Sequence, residues 1–343
     1  MKSQRENNYA SVSNEYRQNI QGRINMEERR RIEERRRLRA KKRFRARMIR
    51  FAFKSILVLG ILTIVIIAAV HNRNKLSLFS DNKAGELGRP AGDGTTQVQE
   101  GDKVINYEVG KPMLREGIEV KTRLKSLSNE YSNFLDIYNN MDAYPQDLIA
   151  SLCNNPEMID FVKGYLTTDG TVSGGLNDKE MSEDFPLFLQ WDKRWGYVAY
   201  GDYDIGLSGC APTCLSMVIV ALTKDRNATP DVVADYAMTN GYYISGTGTT
   251  WSLMTEGSRH YGIQGKEISL NSNVIISELK EGHPIICSMK PGDFTTTGHF
   301  IVLVGVNDGK IEVRDPNCKE RSNRLWNLNQ LEPQIKNLWA FSK

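Results

Sequence analysis

The sequence predicts an α+β body over residues 181–343, and three observations predict it. An apolar run inside GCAPTCLSMV, residues 209–218, continues to about residue 222 as a helix. Further helical patterns follow at 230–238, 251–260 and 274–280. Short apolar runs at 284–289, 299–306, 310–315 and 338–341 then read as strands of a mostly antiparallel sheet.

Charge divides the chain before the body begins. Residues 1–54 hold 18 Lys/Arg against 6 Asp/Glu, a net of +12; the whole chain carries +4, so the remainder is acidic at −8. Residues 1–50 form a basic arm. Residues 51–70, FAFKSILVLGILTIVIIAAV, have the length and apolar character of one membrane-spanning helix. Lys54 sits near the cytoplasmic end of that run, where it can snorkel to the headgroups. A cleaved signal peptide is the rival reading, but a 50-residue arm precedes the run and the run exceeds a usual signal core. The positive-inside rule then places the arm in the cytoplasm, close to anionic lipid, and the body outside the cell. On this reading the arm is a membrane flank, and no nucleic-acid partner is expected.

Residues 71–117 lack sustained periodicity and read as a flexible stalk. Within 118–141, Leu124, Leu127, Tyr131, Phe134, Leu135, Tyr138 and Met141 recur at helical steps. Residues 145–153 and 156–166 read as two shorter helices, each with proline in its first turn, and Asn155 as an N-cap. Together with a Gly- and Ser-containing linker they make an accessory segment over 118–180. It is expected to be a separate module, a dock on the body or a cover for it.

The body opens with an extended segment at 185–192. A Gly- and Thr-rich loop at 241–250 follows the helix at 230–238, and residues 266–270 read as a further strand. The loop has no lysine after its glycines, so it is no nucleotide-binding loop. Residues 241–251 and 292–297 are candidate cleft rims, and Trp251 is either a subsite wall or core.

The chemistry concentrates in few residues. Pro212 suits a first helical turn, which places Cys210 at the helix N-terminus, where backbone N–H groups favour a thiolate. The chain has five cysteines and four histidines. An odd cysteine count without a CxxC pair suggests neither a disulfide framework nor zinc, so no metal or cofactor is expected. Cys214, Cys287 and Cys318 read as packing residues. His71 falls at the membrane boundary, His260 at a helix end and His283 in a turn. His299 alone follows a glycine and opens an apolar strand, and Asp315 and Asn317 follow a second strand. Cysteine, histidine, then carboxylate or amide is the chain order of a papain-like thiol hydrolase.

The pieces QWDKRW (190–195), SGCAPT (208–213), GHFIV (298–302) and DPN (315–317) resemble, in that order, the C39-like cysteine peptidases of papain-like fold. The resemblance covers a little under half the chain. The upstream Tyr144-Pro145 and Asn155-Pro156-Glu157 are similar to the helical lead-in of membrane-anchored bacterial members. No ATP-binding cassette is expected after the body. Ala211 stands where the family usually has glycine. The resemblance implies Cys210 as nucleophile, His299 as its base and acid, and Asp315 orienting His299, with Asn317 as the alternative orienting residue. It implies Gln190 as an oxyanion donor beside the Cys210 backbone N–H. The expected activity is peptide-bond hydrolysis through a thioester, with a peptide or protein as substrate. The same residues also serve a cell-wall peptide amidase or an acyltransferase. A non-catalytic peptide-binding pseudoenzyme is the alternative of another class; retention of all four residues argues against it.

Overall fold

A computed structural model of the chain describes residues 106–343. The basic arm, the run at 51–70 expected to span a membrane and the first part of the expected stalk lie outside the described residues. Among the described residues no helix is long and apolar enough to cross a membrane.

The described chain begins with a stretch outside any helix or strand and then a group of helices: α1 (Ile118–Glu130), α2 (Leu135–Asn139), α3 (Gln146–Asn154) and α4 (Ile159–Gly164). The single helix read over 118–141 is broken. Tyr131 takes an extended backbone, φ −126° and ψ 110°, and ends α1. Its ring packs edge-on against Tyr107 at 5.0 Å, a tertiary contact that no local periodicity encodes. Asn155 caps the short 3-10 turn Pro156–Met158 by accepting from Glu157 N–H, as expected of it. The linker holds one further helix, α5 (Asp178–Ser182), closed by a capping box between Asn177 and Glu180.

In the body, β1 (Ala199–Tyr200) and β2 (Tyr203–Asp204) form a small hairpin that leads into α6 (Ile205–Ser208). Gly209 then turns the chain into α7 (Cys210–Thr223). A Cβ at Gly209 would lie 2.6 Å from the Ile205 carbonyl oxygen, so the junction admits glycine only. Next come α8 (Pro230–Thr239), a second small hairpin of β3 (Tyr243–Ile244) and β4 (Gly248–Thr249), and α9 (Ser252–Thr255). The helix expected over 251–260 is thus one α turn followed by the 3-10 segment Gly257–Tyr261.

The rest is β5 (Gln264–Glu267), α10 (Ser272–Lys280), β6 (Ile285–Met289), β7 (His299–Asn307), β8 (Lys310–Arg314), α11 (Lys319–Ser322), β9 (Leu325–Trp326), α12 (Leu328–Leu331) and β10 (Ile335–Ser342). Six strands form one antiparallel sheet in the order β5-β10-β6-β7-β8-β9. The expected α+β class and antiparallel sheet are both present.

Alternation along the strands separates two cores. Ile286, Phe300, Val302, Trp339 and Phe341 face α7 through Cys214, Leu215, Met217 and Val218. Ile285, Cys287, Met289, Ile301, Leu303 and Val313 face the other way, onto Ile275 and Leu279 of α10. Burial on both faces explains why β7 reads as an almost unbroken apolar run rather than as an alternating one. A third core joins the helices α1 to α4 to Leu189 and Trp191 of the body. The accessory segment is therefore docked: Phe161 of α4 leaves no room for a Cβ at Gly206, four residues before Cys210.

Candidate active site

Each expected site residue owes its place to the fold. Cys210 is the first residue of α7, so its backbone N–H belongs to a turn whose N–H groups have no partner within the helix. His299 is the first residue of β7 and pairs in register with Met289 of β6. Asp315 directly follows β8, whose Arg314 pairs with Val302 of β7, and so lies diagonally from His299 at the same end of the two strands. Gln190 ends the extended segment whose main chain is tied to the Asp315 loop, with Gln190 N–H donating to Pro316 C=O at 2.7 Å.

One cavity of about 200 Å³ collects Gln190, Cys210, His299 and Asn317. Ser151, Asn154 and Met158 of the accessory helices form part of the same lining. Thr295, Thr296 and Thr297 also line it, so the rim expected at 292–297 is a rim. The other expected rim, 241–251, is not: Ser245 Oγ and Gly246 N–H are held by the Asp202 carboxylate at the β1–β2 turn. Trp251 is neither core nor cleft wall. It is 40% exposed and packs edge-on against Trp339 at 5.5 Å.

His299 is 7% exposed and Asp315 fully buried, with His299 Nε2 2.7 Å from Asp315 Oδ1. This leaves Nδ1 as the ring nitrogen for Cys210. Burial alone would lower the His299 pKa; the Asp315 carboxylate outweighs it, a hydrogen bond to Cys210 adds to the effect, and the imidazole is pushed up to about 9. Burial would likewise raise Asp315, but Arg321 first and His299 second hold its carboxyl down at about 2. The pair is thus imidazolium and carboxylate at neutral pH.

Asn317, the alternative orienting residue, does not meet His299 through its side chain amide. Its backbone N–H donates to Asp315 Oδ1 at 2.8 Å, and its C=O accepts from Trp191 Nε1 at 2.8 Å and from Asn155 Nδ2. Gln190 is 4% exposed and donates one amide N–H to Gly206 C=O at 2.9 Å, which leaves the second N–H of that amide. Ala211 sits inside α7 and is not among the residues with positive φ, so alanine meets no backbone strain there.

The other cysteines are buried, as expected of packing residues. Burial pushes the thiols of Cys214, Cys287 and Cys318 well up, and that of Cys153 to about 11. His260 stacks on Tyr236 at 4.3 Å, and His283 Nδ1 lies 2.7 Å from Glu278 Oε2. Glu278, Glu281 and His283 bring ligand atoms within 4.8 Å of one another, but none of the three lines the cleft.

Arg321 was not among the expected site residues. It is 1% exposed, donates Nε–H to Asp315 Oδ2 at 2.6 Å, and stands over the Phe294 ring at 5.9 Å. Nothing in DPNCKERSNR distinguishes it from Lys319 or Arg324, because its burial depends on α11 folding back beneath the carboxylate.

An α+β body with a cysteine at a helix N-terminus, and a histidine and a carboxylate on the adjoining sheet, is the layout of the thiol hydrolases. Residues 182–340 match the model of the Peptidase_C39 like family, which bears out the C39-like resemblance over that segment. The peptidase domain of Streptococcus ComA, a bi-functional ABC transporter involved in quorum sensing, is similar at 15% identity, with 41% of this chain and 93% of that chain covered and a TM-score of 0.30. A crystal structure from Bacillus anthracis, reported under the name of a C39-like peptidase, is similar at 15% identity, with 46% and 94% covered and a TM-score of 0.29. No curated protein matches the chain.

Proposed function

We propose that the protein is a cysteine peptidase, anchored in the cell membrane by residues 51–70, with its body outside the cell. The observation that carries the reading is the buried His299–Asp315 pair, 2.7 Å apart, in contact with the cavity that Cys210 and Gln190 line. The Cys210 thiolate, held in an ion pair with the His299 imidazolium through Nδ1–H, attacks the substrate carbonyl carbon. The carbonyl oxygen becomes an oxyanion that accepts from the Cys210 backbone N–H and the second amide N–H of Gln190. The imidazolium passes its proton to the leaving amine as the C–N bond breaks, which leaves a thioester on Cys210. Water, deprotonated by the now neutral His299, attacks the thioester, and the acid leaves with the thiolate–imidazolium pair restored. Asp315 holds the ring with Nε2 protonated throughout.

Active-site titration of the purified full-length protein tests the reading. Labelling by a peptidyl electrophile is expected at one equivalent and is lost in Cys210→Ala. Labelling that instead follows Cys214 or Cys287 overturns it. Stoichiometric labelling without peptide hydrolysis in a broad substrate screen would reassign the same cleft to a cell-wall peptide amidase or an acyltransferase. The anchoring is tested on intact cells: added protease removes the body and spares the basic arm. Loss of the arm with survival of the body reverses the orientation.

A further inference from the structure

We infer that Asn155 and Glu157 of the accessory helices are positioning residues for Asp315, so that the accessory segment is part of the catalytic apparatus rather than a separate module. The inference rests on the peptidase reading above and assigns that segment its role.

Asp315 stands at the head of a loop, Asp315 to Lys319, that must hold its carboxylate against His299. Two groups on the accessory segment, more than 150 positions earlier in the chain, grip the main chain of that loop and of the helix start after it. Asn155 is 1% exposed and donates Nδ2–H to Asn317 C=O. Glu157 accepts Lys319 N–H on Oε2 at 2.8 Å and Glu320 N–H on Oε1 at 3.1 Å. These are backbone donors of the first turn of α11, the helix that carries Arg321 to Asp315. Trp191, which packs in the accessory core, adds a third hold through Nε1 on Asn317 C=O.

Asn317 N–H from the loop and Ser322 Oγ from α11 bind Asp315 directly, through its Oδ1 and its backbone N–H respectively. Every link from Asn155 and Glu157 to Asp315 is thus two hydrogen bonds joined by no more than two residues of chain. The segment also walls the cleft through Ser151, Asn154 and Met158. A displacement of about 1 Å at a positioning group is enough to cost on the order of a hundredfold in rate.

The test uses full-length Glu157→Gln and Asn155→Ser. Glutamine keeps the volume of Glu157 but offers one acceptor oxygen in place of two. Serine retains an N-cap oxygen for Glu157 N–H and is too short to reach Asn317 C=O. Each variant is followed by the rate of Cys210 alkylation with iodoacetamide against pH, by peptide hydrolysis, and by thermal unfolding. Both are expected to unfold cooperatively near the wild-type midpoint and to react roughly tenfold more slowly at about pH 6. In an Asp315→Asn background the same substitutions are expected to change the rate no further, because they act through Asp315. An unchanged profile in both variants, or an equal loss with and without Asp315, overturns the inference and leaves the peptidase reading standing. A wild-type profile that ignores His299→Ala overturns both.

Discussion

Arg321 Nε and Asp315 Oδ2 lie 2.6 Å apart with both side chains withdrawn from solvent, so the carboxylate that serves His299 on one oxygen is neutralised on the other. A buried carboxylate with one cationic neighbour has its charge compensated; with two it is pinned between them. Removing one partner of a buried pair costs about 3–5 kcal/mol when it leaves the other charge unpaired, and the lower end applies here because Asp315 keeps His299. Arg321→Met is therefore expected to lower the unfolding free energy of the full chain by that order. The double variant Arg321→Met/Asp315→Asn should recover part of the loss. Urea unfolding measures both, and a loss under about 1 kcal/mol for the single variant contradicts the pairing.

The state of His299 sets a pH limit. Its pKa in the fold is raised to about 9 by the Asp315 carboxylate, against an ordinary value of about 6.5. Its protonated form thus persists through neutral pH and is lost as pH rises through about 9. The alkaline limb of peptide hydrolysis should fall there. In Asp315→Asn the main raising influence is gone and only the weaker one of Cys210 still opposes burial, so that limb should move to lower pH. An alkaline limb that stays in place when Asp315 is replaced excludes the carboxylate as its cause.

The two candidates for the orienting role separate by which atoms they use. Asp315 acts through its carboxylate, whereas Asn317 contacts Asp315, Trp191 and Asn155 through its main chain. Asp315→Asn is expected to lower kcat on the order of 10³–10⁴, the loss seen when a histidine is left in the wrong tautomer. Asn317→Ala keeps all three backbone contacts and is expected to stay within about threefold of wild type. Steady-state kinetics on one peptide substrate decide between them.

Why Asp315 and His299 were legible from sequence, and Arg321 was not, has a physical answer. A histidine opening a β-strand and an acid closing the next are local patterns, and antiparallel pairing of consecutive strands brings such ends together without further information. The helix at Cys210 was legible for a similar reason, since glycine, a first-turn proline and an apolar run all lie within one stretch. Arg321 and the Asn155–Asn317 contact depend on long-range docking, over 162 positions in the latter case, and no periodicity reports that. The break at Tyr131 and the two small hairpins were missed likewise. Tyr131 leaves the helix to meet Tyr107, and the turn at 245–246 is fixed by Asp202 from another hairpin.

Gln190 offers the last test, because its role depends on one N–H. One amide hydrogen is committed to Gly206 C=O, and only the other remains for a developing oxyanion. Such a donor contributes in the transition state more than in the bound substrate, so its removal should lower kcat while KM changes little. Gln190→Ala is expected to lose about 10²–10³ in kcat. Gln190→Glu keeps the shape but presents a carboxylate to the oxyanion, and should lose at least as much at pH 7. Because neither substitution touches His299 or Asp315, the rate of Cys210 alkylation at about pH 6 should be nearly unchanged in Gln190→Ala. A fall in alkylation parallel to the fall in kcat would mean that Gln190 supports the fold around Cys210 and donates nothing to the oxyanion.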